Sequence, residues 1–200
     1  MALTSLACSA MRERGADQME FVRTQLPDVV LIKPRVHGDS RGFFMEIWHQ
    51  QKFTEAGVAA TFVQDNHSRS AKHILRGLHY QILQPQGKLV RVVAGAVFDV
   101  AVDMRKSSQT FGQWVGVELS ADNNHMLWVP PGFAHGFLVL SDTADFVYKC
   151  TDFYAPQHER TLAWNDKDVG VAWPLSPSMK PLLSGKDAEG TRFRDAEYFE

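Results

Sequence analysis

The stretch Arg76-Gly77-Leu78-His79-Tyr80-Gln81 is predicted to be a β-strand that carries a histidine, and Gln86-Gly87-Lys88 follows after a short loop. Alternate residues of a strand share a face, so Arg76 and His79 would point to opposite sides of a regular strand. A bend or bulge at Gly77 is therefore needed before both side chains can reach one ligand. The alternative interpretation is an ordinary strand with a buried, hydrogen-bonded histidine.

Short apolar segments extend from this stretch in both directions, separated by glycine, proline and asparagine turns. They recur about every 8–12 residues without long helical periodicity, which is typical of an all-β sandwich or barrel. A short helix is predicted over 50–56 and a polar loop over 68–72, and the segment from Tyr154 onward is predicted to wrap the barrel. The predicted strands cover 29–32, 43–48, 61–66, 89–93, 97–103, 112–119, 126–129, 137–140 and 145–150.

The composition is that of an ordinary globular protein of 200 residues, with 44% hydrophobic and 22% charged residues. The formal net charge of −2 argues against a nucleic-acid-binding surface. No apolar run approaches the roughly 18 residues that span a bilayer, so no membrane association is predicted. The two cysteines, Cys8 and Cys150, suggest neither a disulfide framework nor a zinc site, and a reduced, cytoplasmic setting fits best.

The chain is predicted to hold one domain, over residues 21–200, because no repeat, linker or second domain is visible. Residues 1–20 are predicted to be a disordered N-terminal extension, since they are small, polar and without periodicity. No basic region precedes their apolar residues, so they make a poor signal peptide. The alternative is that the true start of the protein is Met19.

Several kinds of site are absent from the sequence. No GxGxxG motif opens a helix, and neither a phosphate-binding P-loop nor a GxSxG elbow occurs, so a redox cofactor or a P-loop nucleotide is unsupported. Metal-binding jelly rolls often use a His-x-His pair on one strand and a later histidine. Here His135 supplies the later histidine, but Gln81 stands where the second of the pair would be. These ligands are too few for a well-held transition metal, and no metal is predicted.

Asp99 lies inside the apolar run Val97-Phe98-Asp99-Val100. A carboxylate in an apolar strand is costly unless it pairs with an inward histidine or a cation. The alternative interpretation is that Asp99 is an ordinary charged residue at the edge of the β-ladder or close to a turn. The other candidates for chemistry are Arg41, Glu46, Arg76, His79, Lys88, His135, Tyr148, Glu159 and Asp187.

Seven motifs follow one another in order between residues 29 and 187. They are Arg41-Gly42-Phe43-Phe44-x-Glu46, Gln64-Asp65-Asn66-His67-Ser68, Arg76-Gly77-Leu78-His79, Gly87-Lys88-Leu89-Val90-Arg91, Pro131-Gly132-Phe133-Ala134-His135-Gly136-Phe137, Tyr148-Lys149 and Trp164-Asn165-Asp166. Together they resemble the dTDP-4-dehydrorhamnose 3,5-epimerase family. The resemblance implies a jelly-roll, cupin-like β-barrel with short peripheral helices, a homodimer, no cofactor, and a dTDP-linked 4-keto-6-deoxyhexose as substrate.

The resemblance also implies roles for individual residues. His79 matches the proton-abstracting base, Tyr148 the proton donor on the opposite face of the sugar, and Lys88 the cation near the C4 oxygen. Asp187 matches the carboxylate that orients the base. The substrate-binding positions of the family match Arg41, Phe44, Glu46, Gln64, Asp65, Asn66, Arg76, His135, Glu159 and Lys186, with Asp99 as the partner of His135. In the family, some of these substrate-binding residues, including those that match Arg41 and Glu46, come from the neighbouring subunit.

The reaction that the resemblance implies converts dTDP-4-dehydro-6-deoxy-D-glucose to dTDP-4-dehydro-L-rhamnose, in dTDP-L-rhamnose biosynthesis. Protons at C3 and C5 flank a ketone, so their removal gives an enolate, which a histidine base and a lysine beside the oxyanion suit. Two alternatives stay open. One is a relative that acts at a single carbon or on another 4-keto sugar, and the other is a non-enzymatic sugar-binding jelly roll or a metal cupin.

Overall fold

The computed structural model describes residues 19–176 and 178–200, and β-strands dominate this part of the chain. The strands are β1 (Glu20–Arg23), β2 (Val30–Lys33), β3 (Val36–Asp39), β4 (Gly42–Met45), β5 (Gln64–Ala71), β6 (Leu75–Gln81), β7 (Lys88–Ala94), β8 (Ala96–Asp103), β9 (Trp114–Ser120), β10 (Met126–Val129), β11 (Phe133–Val139), β12 (Thr143–Cys150) and β13 (Glu159–Thr161). The helices are α1 (Gln50–Glu55), α2 (Gly185–Ala188) and the 3-10 turns Pro156–His158 and Phe193–Asp195. The prediction of an all-β fold with short peripheral helices is confirmed.

Two antiparallel sheets form the body of the molecule. One has six strands in the order β1-β2-β10-β7-β12-β5, and the other has five in the order β13-β6-β11-β8-β9. The remaining strands, β3 and β4, pair as a separate hairpin. In the described residues no strand of one sheet pairs with a strand of the other, so of the predicted sandwich or barrel the jelly roll takes the form of a two-sheet sandwich, with the sheets not closed into a barrel.

The strand β8 shows how the apolar pattern builds the layers. Val97 and Ala101 pack in the core between the two sheets, whereas Val100 and Val102 pack on the opposite face under the C-terminal segment. A strand that is covered on both faces reads as a continuous apolar run. On the far side of the six-stranded sheet, Phe53 of α1 packs against the outer face.

Several sequence-based boundaries differ from the structure: the strands predicted over 43–48, 61–66 and 137–140 correspond to β4, β5 and β11, which have other limits. The predicted polar loop over 68–72 is wrong, because residues 68–71 continue β5 and pair with β12 along its whole length. The predicted extension over residues 1–20 lies outside the described residues except at its last two positions, and β1 begins at Glu20. None of the described helices is long and apolar enough to cross a membrane.

Candidate active site

A β-bulge in β6 turns Arg76 and His79 toward the same space. His79 pairs with His135 of β11 and Arg76 pairs with Phe137, so two residues of β6 lie opposite one residue of β11. Gly77 sits in this bulge with φ +112°, and a Cβ there would meet the carbonyl oxygen of His135 at 2.6 Å. Only glycine allows the two strands to approach so closely. The predicted bulge at Gly77 is therefore confirmed.

Between the two sheets lies a cavity of about 620 Å³ that both Arg76 and His79 line. The five-stranded sheet contributes β6 and β11 to one wall, and the six-stranded sheet contributes β5, β7 and β12 to the other. Segments from the C-terminal part of the chain close the rim. The predicted site residues that line this cavity are Gln64, Asn66, Arg76, His79, Lys88, His135, Tyr148, Glu159, Lys186 and Asp187.

His79 is hydrogen-bonded to a buried carboxylate. Its Nε2 lies 2.7 Å from Asp187 Oδ1, which also accepts from the backbone N–H of Gly77 at 3.1 Å. Burial alone would raise the pKa of Asp187, but the hydrogen bonds from His79, Ser184 and Gly77 outweigh it and hold that pKa below its ordinary value. An ionised Asp187 fixes the proton on Nε2, so Nδ1 is the ring nitrogen that can accept a proton.

Burial is the largest influence on the pKa of His79, and it lowers that pKa. The hydrogen bond to Asp187 opposes this effect, while the positive charges of Lys186 and Lys88 add to it. The imidazole is thereby kept neutral near pH 7, which is the form that acts as a base.

A second histidine–carboxylate pair lies beside the first. His135 Nε2 is 2.9 Å and 3.1 Å from the two carboxylate oxygens of Asp99, which belongs to β8 and is buried completely. Burial raises the pKa of Asp99, and the charge of His135 opposes that rise. The inward histidine is thus the partner that Asp99 was predicted to need, and the interpretation as an edge or turn charge is wrong.

Lys88 and Tyr148 line the opposite wall of the cavity, on the neighbouring strands β7 and β12. Burial lowers the pKa of Lys88, because the interior disfavours the charged ammonium group. Burial raises the pKa of Tyr148 for the matching reason, since the phenolate is the charged form. At neutral pH the cavity therefore holds a protonated phenol across from the neutral imidazole of His79.

The rim of the cavity carries a small polar cluster. Glu159 Oε2 accepts from Lys186 Nζ at 2.8 Å and from the hydroxyl of Tyr154 at 3.0 Å. The backbone N–H of Tyr154 donates to Gln64 Oε1 at 3.0 Å, which ties the rim to β5. Arg76 donates to Ser70 at 2.9 Å, so its guanidinium is also held in place at the rim. Cations and a flat aromatic ring thus surround the entrance.

Gln81 lies two residues beyond His79 and points into the same cavity. Its Nε2 donates to the carbonyl oxygens of Gln84 and Phe153 at 2.7 and 3.3 Å, and its Oε1 accepts from the N–H of Ala155 at 2.9 Å. These bonds join the loop before β7 to the segment that carries Tyr154. Within the described chain, no group of three or more His, Cys, Asp or Glu side chains is arranged to hold a metal ion.

A scan of protein-family models matches residues 23–195 to the dTDP-4-dehydrorhamnose 3,5-epimerase family. The chain belongs to this family. The enzyme of this name from Pseudomonas aeruginosa is 59% identical over 182 residues, which cover 90% of this chain and 99% of the relative. The one from Shigella flexneri is 58% identical, with the same coverage. A crystal structure of the dTDP-6-deoxy-D-glucose-3,5-epimerase from Legionella pneumophila, in complex with dTDP-4-keto-L-rhamnose, is 50% identical, has a TM-score of 0.85, and covers 88% of this chain and 94% of its own.

Several residues predicted from the epimerase family do not line the cavity of their own chain. Arg41 and Phe44 lie on the β3–β4 hairpin, with 88% of the Arg41 side chain and 70% of Phe44 exposed. Glu46 follows the hairpin and pairs with Lys52 at 2.6 Å. Asp65 points away from the cavity and pairs with Lys149. Asp99 lies behind His135, as described above.

Sequence reasoning missed several residues of this epimerase-family cavity. Gln81 carried a usable signal, because alternation from His79 puts it on the same face of the strand. Ser184 also carried a local signal, because Ser184-x-x-Asp187 has the spacing of a helix capping box, which places the serine hydroxyl beside Asp187. The other missed lining residues with polar or aromatic side chains are Ser68, Gln86, Phe137, Phe146 and Tyr154.

Proposed function

We propose that this chain is a dTDP-4-dehydrorhamnose 3,5-epimerase. It inverts C3 and C5 of dTDP-4-dehydro-6-deoxy-D-glucose to give dTDP-4-dehydro-L-rhamnose, the step that this family supplies to dTDP-L-rhamnose biosynthesis. The identity to the Pseudomonas enzyme over nearly the full length of both chains supports this assignment. The bound dTDP-4-keto-L-rhamnose in the Legionella structure supports the class of ligand.

One observation carries the proposed chemistry: His79 and Tyr148 face the same cavity from opposite sheets. His79 belongs to β6 of the five-stranded sheet, and Tyr148 belongs to β12 of the six-stranded sheet. Inversion at carbon requires that a proton leaves one face and another arrives at the opposite face. A sugar held between the two sheets would meet His79 on one side and Tyr148 on the other.

The proposed steps balance without an oxidant or reductant. His79 Nδ1 takes the proton from C3 or C5, and the electron pair of the C–H bond moves to the C4 oxygen as an enolate. The ammonium group of Lys88 stabilises that oxygen, and an oxyanion partner in a closed cavity is effective because water is excluded. Tyr148 then protonates the carbon from the other face. His79 then releases its proton to solvent and the phenolate of Tyr148 takes one from solvent, so both groups regain their starting forms.

The rim cluster is suited to the nucleotide half of the substrate. Arg76 and Lys186 bring positive charge to the entrance, and a guanidinium matches phosphate oxygens through paired hydrogen bonds. The exposed ring of Tyr154 offers a flat apolar surface for a pyrimidine base. Gln64, Asn66 and Glu159 complete the polar lining on that side.

The hairpin residues fit a partner subunit better than their own chain. Phe43 and Phe44 are 66% and 70% exposed on β4 of the hairpin, close to the exposed Arg41. Two adjacent phenylalanines in solvent are unusual unless another surface covers them. We therefore propose a homodimer in which Arg41, Phe44 and Glu46 reach the cavity of the partner. A cytoplasmic location completes the proposal and suits the free, buried thiol of Cys150.

Deuterium exchange followed by NMR tests the function directly. The purified protein is incubated with dTDP-4-keto-6-deoxyglucose in deuterated water, and the proton signals at C3 and C5 are followed. Deuterium at both carbons is the expected result. Deuterium at one carbon indicates the single-site relative, and no exchange at either carbon contradicts the epimerase assignment.

The assignment of the base has its own test. His79→Asn is expected to lower turnover by about 10³-fold or more while dTDP still binds in calorimetry, because asparagine keeps the shape but cannot accept a proton. His125→Asn is the matched control, since His125 does not line the cavity and should leave turnover unchanged. Full turnover in His79→Asn would overturn the role of His79.

A further inference from the structure

Ser184 holds the outer oxygen of the Asp187 carboxylate. Its hydroxyl donates to Asp187 Oδ2 at 2.6 Å and accepts from the backbone N–H of Asp187 at 3.2 Å. The other oxygen, Oδ1, is the one that accepts from His79 and Gly77. Both oxygens of this buried carboxylate are therefore hydrogen-bonded. Ser184, the N-cap residue of α2, holds the oxygen that does not bond to the histidine.

We infer that Ser184 is a positioning residue for the base: it acts on His79 through Asp187, as the third member of a serine–aspartate–histidine chain. The inference rests on the proposed function, in which His79 abstracts the proton. Ser184 has no proton to transfer to substrate in this scheme. Its contribution is to lock the rotamer of Asp187 and to draw charge toward Oδ2.

The geometry gives the expected sign of the effect. Hydrogen bonds to a charged acceptor are among the stronger ones, and a hydroxyl on Oδ2 withdraws negative charge from Oδ1. Without that hydroxyl, Oδ1 is a stronger acceptor and stabilises the imidazolium form of His79 more. The pKa of His79 should then rise toward and beyond neutrality, so that less of the base is available. A less ordered Asp187 also orients the ring less well.

Other charges that face His79 stay in place when Ser184 is changed. The titratable and charged groups packed around His79 are Asp187 and Lys186 from α2, Lys88 from β7, Glu159 from β13 and His135 from β11. Substitution at Ser184 removes a hydrogen bond from Asp187 and from none of the other four groups, so a displaced titration of His79 reports on the Ser184–Asp187 bond.

Three substitutions separate this role from simple helix capping. Ser184→Thr keeps both the hydroxyl and the cap, Ser184→Ala removes both, and Ser184→Gly removes the hydroxyl while remaining a good cap residue. We expect kcat to fall about tenfold in the Ala and Gly variants with KM changed less than about twofold, because a lost bond to a charged group costs about that much. Ser184→Thr should retain wild-type kcat.

The pH readout uses the same variants. The acid limb of kcat/KM, and the titration of His79 followed by NMR in the free protein, should both move to higher pH in Ser184→Ala and Ser184→Gly. Ser107→Ala, at an exposed serine outside the cavity, is the control. Wild-type kcat in Ser184→Gly, or a His79 titration that is unmoved or moves to lower pH, would overturn the inference.

The substrate-free titration keeps the two proposals distinguishable. If the wild-type protein exchanges no deuterium at C3 or C5, the proposed function fails. The coupling between Ser184 and His79 is still decided in that case by the NMR titration of the Ser184→Gly variant.

Discussion

His79 and Lys88 face one cavity from opposite sheets, and burial lowers the pKa of both. In the proposed mechanism the histidine acts as a base only when it is neutral, and the lysine stabilises the enolate oxygen only when it is charged. The two requirements define a pH window whose lower edge belongs to His79 and whose upper edge belongs to Lys88. Burial raises the pKa of Tyr148, so this phenol stays protonated throughout the window.

The pH dependence of kcat/KM is expected to be bell-shaped. Activity should rise as pH passes the pKa of His79, below its ordinary value of about 6.5, and fall as pH passes the pKa of Lys88, below about 10.4. Initial rates between pH 5 and 10 measure both limbs. Lys88→Arg stays charged across this range, so its residual activity should lose the alkaline limb and keep the acid limb. An alkaline limb that persists in Lys88→Arg would assign it to another group.

At the residue scale, alternation and the cost of burial predicted part of the site. The bulge at Gly77 followed from the need to turn Arg76 and His79 to one side, and the partner of Asp99 followed from the cost of an unpaired buried carboxylate. The bond between His79 and Asp187 did not follow from any local pattern, because the two residues are 108 positions apart. It was expected only from the family resemblance.

At the scale of single elements, the bulge in β6 is the feature on which the site depends. Gly77→Ala would place a Cβ 2.6 Å from the carbonyl oxygen of His135 and 2.7 Å from the Cα of Gly136, at a φ that disfavours alanine. We expect a loss of about 3 kcal/mol in the free energy of unfolding, because backbone atoms must move apart. Chemical denaturation measures this loss, and turnover should fall with it as His79 is displaced.

The matched control for the bulge is Gly38→Ala in the β3–β4 hairpin. The nearest atom to a Cβ at Gly38 is the carbonyl oxygen of Gly42 at 3.8 Å, which is ordinary contact. Its free energy of unfolding should change by no more than about 0.5 kcal/mol. Equal effects of the two substitutions would show that close strand approach at Gly77 is not what requires glycine there.

Two elements were predicted with nearly their observed boundaries. The predicted strand over 126–129 coincides with β10, and the predicted helix over 50–56 corresponds to α1. The polar half of β5 was missed because β5 is an edge strand, whose hydrogen bonds to β12 hold residues that have no apolar pattern. The short strand β13 and helix α2 were missed because they are ordered by tertiary contacts, not by their own periodicity.

At the scale of the whole molecule, the β3–β4 hairpin does not contribute to the cavity of its own chain. The hairpin exposes Arg41 and Phe44, while the cavity of the same chain is lined without them. If two copies exchange hairpins, each site combines His79 of one chain with Arg41 of the other. This arrangement makes a specific prediction for mixed dimers.

Mixing two impaired variants should restore activity. When Arg41→Ala and His79→Asn chains are unfolded together and refolded, about half of the dimers contain one chain of each kind. In such a dimer one site has both wild-type residues and the other has neither, so activity should reach about a quarter of the wild-type value. Co-refolding of each variant with itself is the control. Activity that stays at the sum of the separate variants would mean that each hairpin serves its own chain.

The separation of His79 and Asp187 along the chain also affects the synthesis and folding of the protein. During translation at about 5–20 residues per second, the histidine exists for roughly 5–20 s before its aspartate has been synthesised. The nascent chain therefore carries an imidazole without its carboxylate until the intervening strands have been made and the loop between them has closed, at an entropic cost that grows with its length. Turnover regained on refolding therefore reports that both sheets have assembled around the cavity. Circular dichroism, in contrast, reports the formation of strands and does not require that the two sheets have packed together.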